Sequence, residues 1–264
     1  MLLSKLISIT KNILIKIDKK LFSEFFINFY KLFFLYFSKK LINERSVNSS
    51  VHYFNLKKKN PISELCLKHG SDKGYLDYSA KTPYGFNPRN YSEFYFNNFH
   101  HCRENIKLVF ECGLGTNNDT IPSNMTAGGK PGASLKVWRD YFVNAEIIGA
   151  DIDKDILFNS ERIKTFEVDQ TNKEMIMDMW NKVNLDNFDL IIDDGLHNLE
   201  GGVVLFKNSF EKLRKNGIYI IEDVDVSYLK KLIEELDEFN PEVIFMDSTL
   251  SSRKDNILVI FRKN

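Results

Sequence analysis

The residues with the plainest capacity for chemistry stand in two short clusters, Asp193-Asp194-Gly195-Leu196-His197 and Glu222-Asp223. Each closes a short apolar run, Phe188–Gly195 and Gly217–Val224. If these runs are neighbouring parallel strands, Asp194, Glu222 and Asp223 end side by side. Three carboxylates that close repel one another unless a cation sits between them, and an all-oxygen set suits Mg²⁺ or another hard divalent ion better than Zn²⁺. His197, on the turn after Asp194, overhangs the same spot as a general base, because an ordinary imidazole titrates at about 6.5. A plainer alternative stays open, in which the acids cap helices starting near Asn198 and Asp225 and His197 is a solvated loop residue.

A second set of acids ends the earlier apolar runs. The first closes as Glu111-Cys112-Gly113-Leu114-Gly115-Thr116, with two glycines but no third to complete G-x-G-x-x-G. A dinucleotide pyrophosphate needs close backbone approach along that whole turn, so a nicotinamide cofactor fits poorly. A nucleoside cofactor without phosphates needs only room at Gly113 and Gly115 for a methionine-like tail, and an acid for its ribose. Asp151, ending the second run, stands where ribose hydroxyls are held; Asp169 with Gln170, ending the third, is placed to bond an adenine edge. Acids ending three successive runs point to S-adenosylmethionine. Taken singly, the glycines serve equally as turn formers at positive φ, and Asp151 as an N-cap. The loop from Leu114 to Ala133, about 20 residues where 2 to 6 is usual, reads as a lid or substrate wall. It ends Gly132-Ala133-Ser134, with Ser134 expected as helix cap and cofactor contact.

Positioning these groups requires a sheet. Lys107–Gly113, Glu146–Ile152, Ile163–Asp169, Phe188–Gly195 and Gly217–Val224 are short apolar runs, most of them β-branched. Ser134–Phe142, Asn172–Asn184, Glu200–Lys215 and Val226–Phe239 have helical character. Near-continuous apolar strands alternating with helices predict a parallel sheet covered on both faces. Pro241–Asp247 and Ile257–Arg262 follow with only a polar turn between them and should pair as a hairpin. The expected fold is α/β and Rossmann-like: a mostly parallel seven-stranded sheet of the class I methyltransferase plan with a C-terminal antiparallel hairpin. A dinucleotide dehydrogenase would continue with further parallel units. Chemistry in such a sheet sits outside the carboxyl ends of the strands, where both acid clusters fall.

The 264 residues balance 36 Lys+Arg against 36 Asp+Glu, but unevenly. Residues 1–60 hold 12 basic and three acidic side chains, a net of +9, so the other 204 carry 24 against 33, a net of −9. The chain is read as a basic, Phe-rich helical N-terminal extension, 1–60, joined to an S-adenosylmethionine-dependent methyltransferase domain, 61–264, large enough for one buried core. Residues 21–37 place Glu24, Asn28 and Lys31 at helical spacing among phenylalanines. They fall short of the roughly 20 clean apolar residues of a membrane span. The wide apolar face is to be covered by the body, a partner subunit or an anionic membrane surface. Lys5, Lys11 and Lys16, with no small-residue cleavage site after them, argue against a signal peptide. A homo-oligomer, peripheral membrane contact through residues 1–40 and a place in the cytoplasm, at the inner face of the membrane, are the expectations. Cys66, Cys102 and Cys112 are odd in number and lack C-x-x-C spacing, which speaks against a disulfide framework and a thiolate zinc site and fits a reducing compartment. Nucleic acid is not an expected partner, since the acidic body would repel phosphates.

The Asp-Gly-x-His and Glu-Asp pairs, the Glu-x-Gly turn, the segment Gly132–Asp151 and Gly70-Ser71-Asp72-Lys73-Gly74 together resemble the metal-dependent sugar O-methyltransferases of macrolide tailoring, the mycinamicin and tylosin type, over residues 65–224. The resemblance implies Mg²⁺ on Asp194, Glu222 and Asp223, His197 as general base, and S-adenosylmethionine held by Glu111, Gly113, Asp151 and Asp169, with Asp193 near the sulfonium end. It implies methylation of a sugar hydroxyl. The Asn-, Lys-, Ile- and Phe-heavy composition suggests an AT-rich bacterial genome, where a surface-polysaccharide sugar or its nucleotide-linked precursor is the expected acceptor. Tyr75, Tyr78, Tyr84, Tyr91 and Tyr95 are candidates for an acceptor wall or for a plain packing layer. Two other readings are a methyltransferase for a non-sugar small molecule and a scaffold-sharing hydroxylase-like enzyme. For the latter, His52, His69, His100, His101 and His197 offer no evident 2-His-1-carboxylate set.

Overall fold

The apolar runs of the sequence become strands of one sheet in a computed structural model, which describes residues 48–52 as backbone, and 59–74, 89–246 and 255–264 in full. The strands are β1 (Asn48–His52), β2 (Leu108–Cys112), β3 (Glu146–Asp151), β4 (Ile163–Glu167), β5 (Phe188–Asp193), β6 (Leu213–Ile221), β7 (Glu242–Met246) and β8 (Ile257–Arg262). Their order is β1-β7-β8-β6-β5-β2-β3-β4. β8 runs antiparallel to both β6 and β7, and the other pairs are parallel. The seven expected strands thus take the class I methyltransferase order with the closing hairpin in place. An eighth, β1, adds to the edge beside β7, paired from Asn48↔Glu242 to His52↔Met246. It falls inside the span read as a helical extension. Its sequence, NSSVH, carries one β-branched residue, so the backbone ladder defines it rather than any apolar pattern. The Phe-rich stretch 21–37 and the membrane contact expected of residues 1–40 lie outside the described residues, as do Tyr75, Tyr78 and Tyr84. Among the described residues no helix is long and apolar enough to cross a membrane.

Among the described residues six helices flank the sheet: α1 (Pro61–His69), α2 (Tyr91–Phe99), α3 (Ala133–Tyr141), α4 (Lys173–Val183), α5 (Leu199–Ser209) and α6 (Val226–Glu235). On one face Ile62 and Cys66 of α1, Phe94 and Tyr95 of α2, and Leu135 and Trp138 of α3 meet Val109, Leu190, Ile192 and Ile220 of the strands. On the other, Trp180 of α4 packs on Phe110, and Phe206 of α5 on Tyr219 and Phe261. Both faces are therefore dry, as near-continuous apolar strands require.

Two boundaries differ from expectation. The helix expected to run to Lys215 ends at Ser209, and a 3₁₀ turn leads into β6 at Leu213. Leu213 is already paired with Phe188, and the polar Arg214, Lys215 and Asn216 ride on the exposed start of a strand, not on a helix. Ser134 is not the cap of α3. Gly132 holds that position at φ +68, where a Cβ would stand 2.3 Å from the Phe158 ring. The caps that do form are Asn60 for α1, Asn172 for α4, Asn198 for α5 and Asp225 for α6, each accepting a backbone N–H of the first turn. Cys66, Cys102 and Cys112 are all free thiols.

Candidate active site

Register brings the strand ends level. Cys112 lies opposite Ala150 and Asp193, and Asp193 opposite Ile221. The next residues along, Gly113, Asp194 and Glu222, therefore leave the sheet side by side, at the point between β2 and β5 where strand order reverses. Backbone bonds continue the ladder there, Asp194 N–H to Cys112 O at 2.8 Å and Glu222 N–H to Asp193 O at 2.9 Å. A cavity of about 280 Å³ opens on this edge. Gly113, Gly115, Asp151, Asp169 and Gln170 line one part of it, and Asp194, His197 and Asp223 another. Glu111, Ser134, Asp193 and Glu222 lie buried and do not line it.

Asp194, His197 and Asp223 each present one ligand atom, all within 4.8 Å of one another. Since Asn198 and Asp225 are the caps, Asp194, Glu222 and Asp223 do not cap these helices. The two carboxylates on the cavity wall fit a hard divalent cation that completes its shell with water or substrate oxygen, and the imidazole stands beside them. Glu222, read as a third ligand, is turned elsewhere: its Oε1 accepts from the Tyr95 hydroxyl and its Oε2 from Lys73 Nζ at 2.5 Å. The same ammonium stands 2.5 Å from Asp194 Oδ2 and 3.2 Å from Glu111 Oε1. Burial works against the Lys73 charge, but Asp194, Glu222 and Glu111 outweigh it and hold its pKa well above that of free lysine. Asp223 accepts from the Arg89 guanidinium and the Tyr91 hydroxyl, and His197 Nε2 lies 3.8 Å from its Oδ2.

Lys73 and Arg89 are thus parts of the site that had no assigned role in the sequence, and Tyr91 and Tyr95, candidates there for an acceptor wall or a packing layer, donate to its acids. A signal existed for the tyrosines. Tyr91 and Tyr95 stand at i,i+4 on α2, which puts both hydroxyls on one helix face, opposite the adjacent Glu222 and Asp223. Both rings are fully buried, so neither is an acceptor wall. Lys73 lay within the Gly70–Gly74 motif, but a single buried lysine has no pattern of its own.

On the other part of the cavity, Asp151 braces the glycine turn before it can meet any ligand. Its Oδ2 accepts the Leu114 N–H at 2.6 Å and its Oδ1 the Asp153 N–H at 2.8 Å. The 3₁₀ turn that follows is capped by Asp153, so Asp151 is no cap either. Asp169 Oδ1 accepts from both the backbone and hydroxyl of Thr171, at 2.9 and 2.7 Å. Gln170 is committed at both ends of its amide: Nε2 donates to Asp193 Oδ1 at 3.1 Å and Oε1 accepts the Leu196 N–H at 2.7 Å. Burial pushes the Asp193 carboxyl up to about 6, against the Gly195 N–H and Gln170 bonds that favour its charge. Gln170 therefore ties β5 to the turn that carries His197. Gln170→Ala is expected to strand one buried acceptor and one N–H, lowering stability by about 2–4 kcal/mol. Urea unfolding at unchanged slope would register this as a lower midpoint. The long loop folds over the cavity through Ile121, Pro122, Ser123, Asn124 and Met125, pinned by Met125 N–H to Thr116 O at 2.8 Å and Ser123 Oγ to Leu196 O at 3.0 Å.

Glu111 is sealed under the cavity floor. Trp138 Nε1 donates to its Oε2 at 2.9 Å, Lys73 faces its Oε1, and Ser134 lies beside it. Its role is to connect β2, α3 and Lys73.

No family model matches the chain. Among curated proteins it is 30% identical over 168 residues to the 8-demethyl-8-alpha-L-rhamnosyl tetracenomycin-C 2'-O-methyltransferase of Streptomyces olivaceus, covering 63% of this chain and 38% of that protein. To the L-olivosyl-oleandolide 3-O-methyltransferase of Streptomyces antibioticus it is 28% identical over 169 residues, 64% of this chain and 38% of that protein. The chain therefore relates to sugar O-methyltransferases and spans well under half the length of these relatives. Among solved structures, the MycE methyltransferase of the mycinamycin biosynthetic pathway, in complex with Mg, SAH and mycinamycin VI, superposes with a TM-score of 0.54 at 20% identity, covering 78% of this chain and 56% of that one. That likeness establishes the class I methyltransferase fold.

Proposed function

We propose that this relative of the sugar O-methyltransferases is itself an S-adenosylmethionine- and Mg²⁺-dependent O-methyltransferase acting on a sugar hydroxyl. The observation that carries the proposal is one cavity lined both by the glycine turn with Asp151 and Asp169 and by Asp194, His197 and Asp223. The first group suits a nucleoside with an aminoacyl tail, the second a hydroxyl that must be held and deprotonated. The named activities of the curated relatives support it.

S-adenosylmethionine, when bound, supplies the electrophilic methyl group. Asp151 and Asp169 line the cavity and would accept from ribose and adenine donors, and Gly113 and Gly115 would leave room beside the tail. Asp194 and Asp223 would hold Mg²⁺, whose Lewis acidity lowers the pKa of a sugar hydroxyl that at neutral pH is a poor nucleophile. His197 takes the proton at Nε2, the atom that faces Asp223. The Asp223 carboxylate then faces the imidazolium and favours its charge. The loop through Ile121–Met125 forms one wall of the same cavity. The finer reading is a surface-polysaccharide sugar or its nucleotide-linked precursor as acceptor.

Purified protein is to be incubated with S-adenosylmethionine and a panel of nucleotide sugars and free glycans, with Mg²⁺ or with chelator, and the products read by mass spectrometry. A singly methylated sugar that vanishes in chelator is expected. Undiminished transfer in chelator would remove the metal from the reaction, and failure to bind S-adenosylmethionine by calorimetry would overturn the assignment as a whole.

A further inference from the structure

Lys73 occupies the place where the acid clusters of the sequence demanded a cation. Its ammonium has three donors and three carboxylates around it, from three different strand ends: Glu111 at the penultimate position of β2, Asp194 after β5 and Glu222 after β6. The side chain is 3% exposed. Its backbone is fixed from both sides, with Lys73 O accepting the Ser92 N–H of α2 at 2.9 Å. Gly74 lies so flush on α1 that a Cβ there would stand 2.4 Å from Cys66 Cβ. Nothing about this placement resembles a solvent-seeking surface lysine.

Resting on the reading of Asp194 and Asp223 as cation ligands, we propose that Lys73 is a positioning residue, a permanent counter-cation that locks Glu111 and Glu222 into the buried half of the cluster and leaves the cavity face to one divalent ion. Lys73 meets three of the carboxylates, and Arg89 is shared between Asp223 and Asp255. Asp72, Asp194, Asp223 and Asp255 line the cavity and keep its face acidic. Without Lys73, the buried Glu111 and Glu222 lose the cation that faces them both.

The test uses the whole chain. Lys73→Met keeps much of the stem and removes the charge, and the double variant Lys73→Met, Glu222→Gln also removes one of the stranded acids. In metal-free buffer Lys73→Met is expected to melt about 10 °C below the parent, and the double variant to recover at least half of that loss. Mn²⁺, followed by its electron paramagnetic resonance signal, should bind the parent at one ion per chain and raise the melting point of Lys73→Met more than that of the parent. A Lys73→Met variant melting with the parent overturns the proposal, and so does a double variant melting as low as the single one, since the lysine would then act through packing. If Lys73→Met yields no folded protein, folding of the double variant supports the proposal and its failure to fold overturns it. A parent that binds no Mn²⁺ overturns the metal reading and its one-ion corollary, and the metal-free melting order then judges Lys73 separately.

Discussion

A His197→Asn variant is expected to bind S-adenosylmethionine with unchanged affinity and to transfer methyl groups about 10²- to 10⁴-fold more slowly, the range lost with a general base. Asparagine is the informative replacement because of the backbone. His197 sits at φ +53, in the left-handed region that asparagine adopts readily and alanine does not. An alanine there would disturb the turn and with it Asp194, mixing a chemical effect with a conformational one. The imidazole is 25% exposed, open to an incoming hydroxyl, and its Nε2 lies 3.8 Å from Asp223 Oδ2. It makes no bond to the residues that line the nucleoside part of the cavity, so cofactor affinity should not move. Single-turnover rates and calorimetric titration separate the two quantities. A variant with parental turnover would remove the base from the mechanism. One that loses cofactor binding in the same proportion would place His197 on the wrong side of the cavity.

The acids at the strand ends were legible because a parallel sheet has few ways to use them. Apolar runs of the right length predicted β2 to β8, and parallel neighbours at level register must bring Gly113, Asp194 and Glu222 together. The direction of each side chain was not legible. Residues Glu222 and Asp223 are adjacent in sequence, yet one carboxylate points to Lys73 and Tyr95 under the floor and the other to the cavity. The split arises just past the end of β6, where Asp223 turns to φ +56, and which of the two faces inward depends on Lys73 and on the tyrosines of α2. Gln170 was legible as a site residue but not as a brace, because the partners that occupy its amide, Asp193 and the Leu196 N–H, are 23 and 26 residues away. The edge strand β1 went unread for a similar reason: its backbone pairs with β7 nearly 200 residues on, and nothing in NSSVH, with Val51 its one apolar residue, predicts that.

Gly113→Ala is expected to unfold much of what these contacts build. A Cβ on Gly113 would stand 2.1 Å from Asp194 O, 2.5 Å from Asp194 C and 2.7 Å from Gly195 Cα, all backbone. Neither strand can give way easily. Gly113 N–H is bonded to Ala150 O at 2.8 Å, and Asp194 N–H to Cys112 O at 2.8 Å. The backbone is also at φ +95, which disfavours any L side chain. Strain and overpacking together should lower stability by about 2–5 kcal/mol, a large share of the 5–15 kcal/mol typical of a folded domain. Gly202→Ala is the matched control. Its Cβ would meet nothing nearer than 3.8 Å, and inside α5 alanine is the better helix former, so that variant should be as stable as the parent or up to about 1 kcal/mol more so. Both variants are to be unfolded in urea and titrated with S-adenosylmethionine. The clash assigns Gly113 first to the close approach of the Asp194 backbone and only then to the cofactor tail, so stability and affinity should fall together. A Gly113→Ala protein that melts with the parent and loses only cofactor affinity would reverse that order, leaving the glycine as space for the ligand alone.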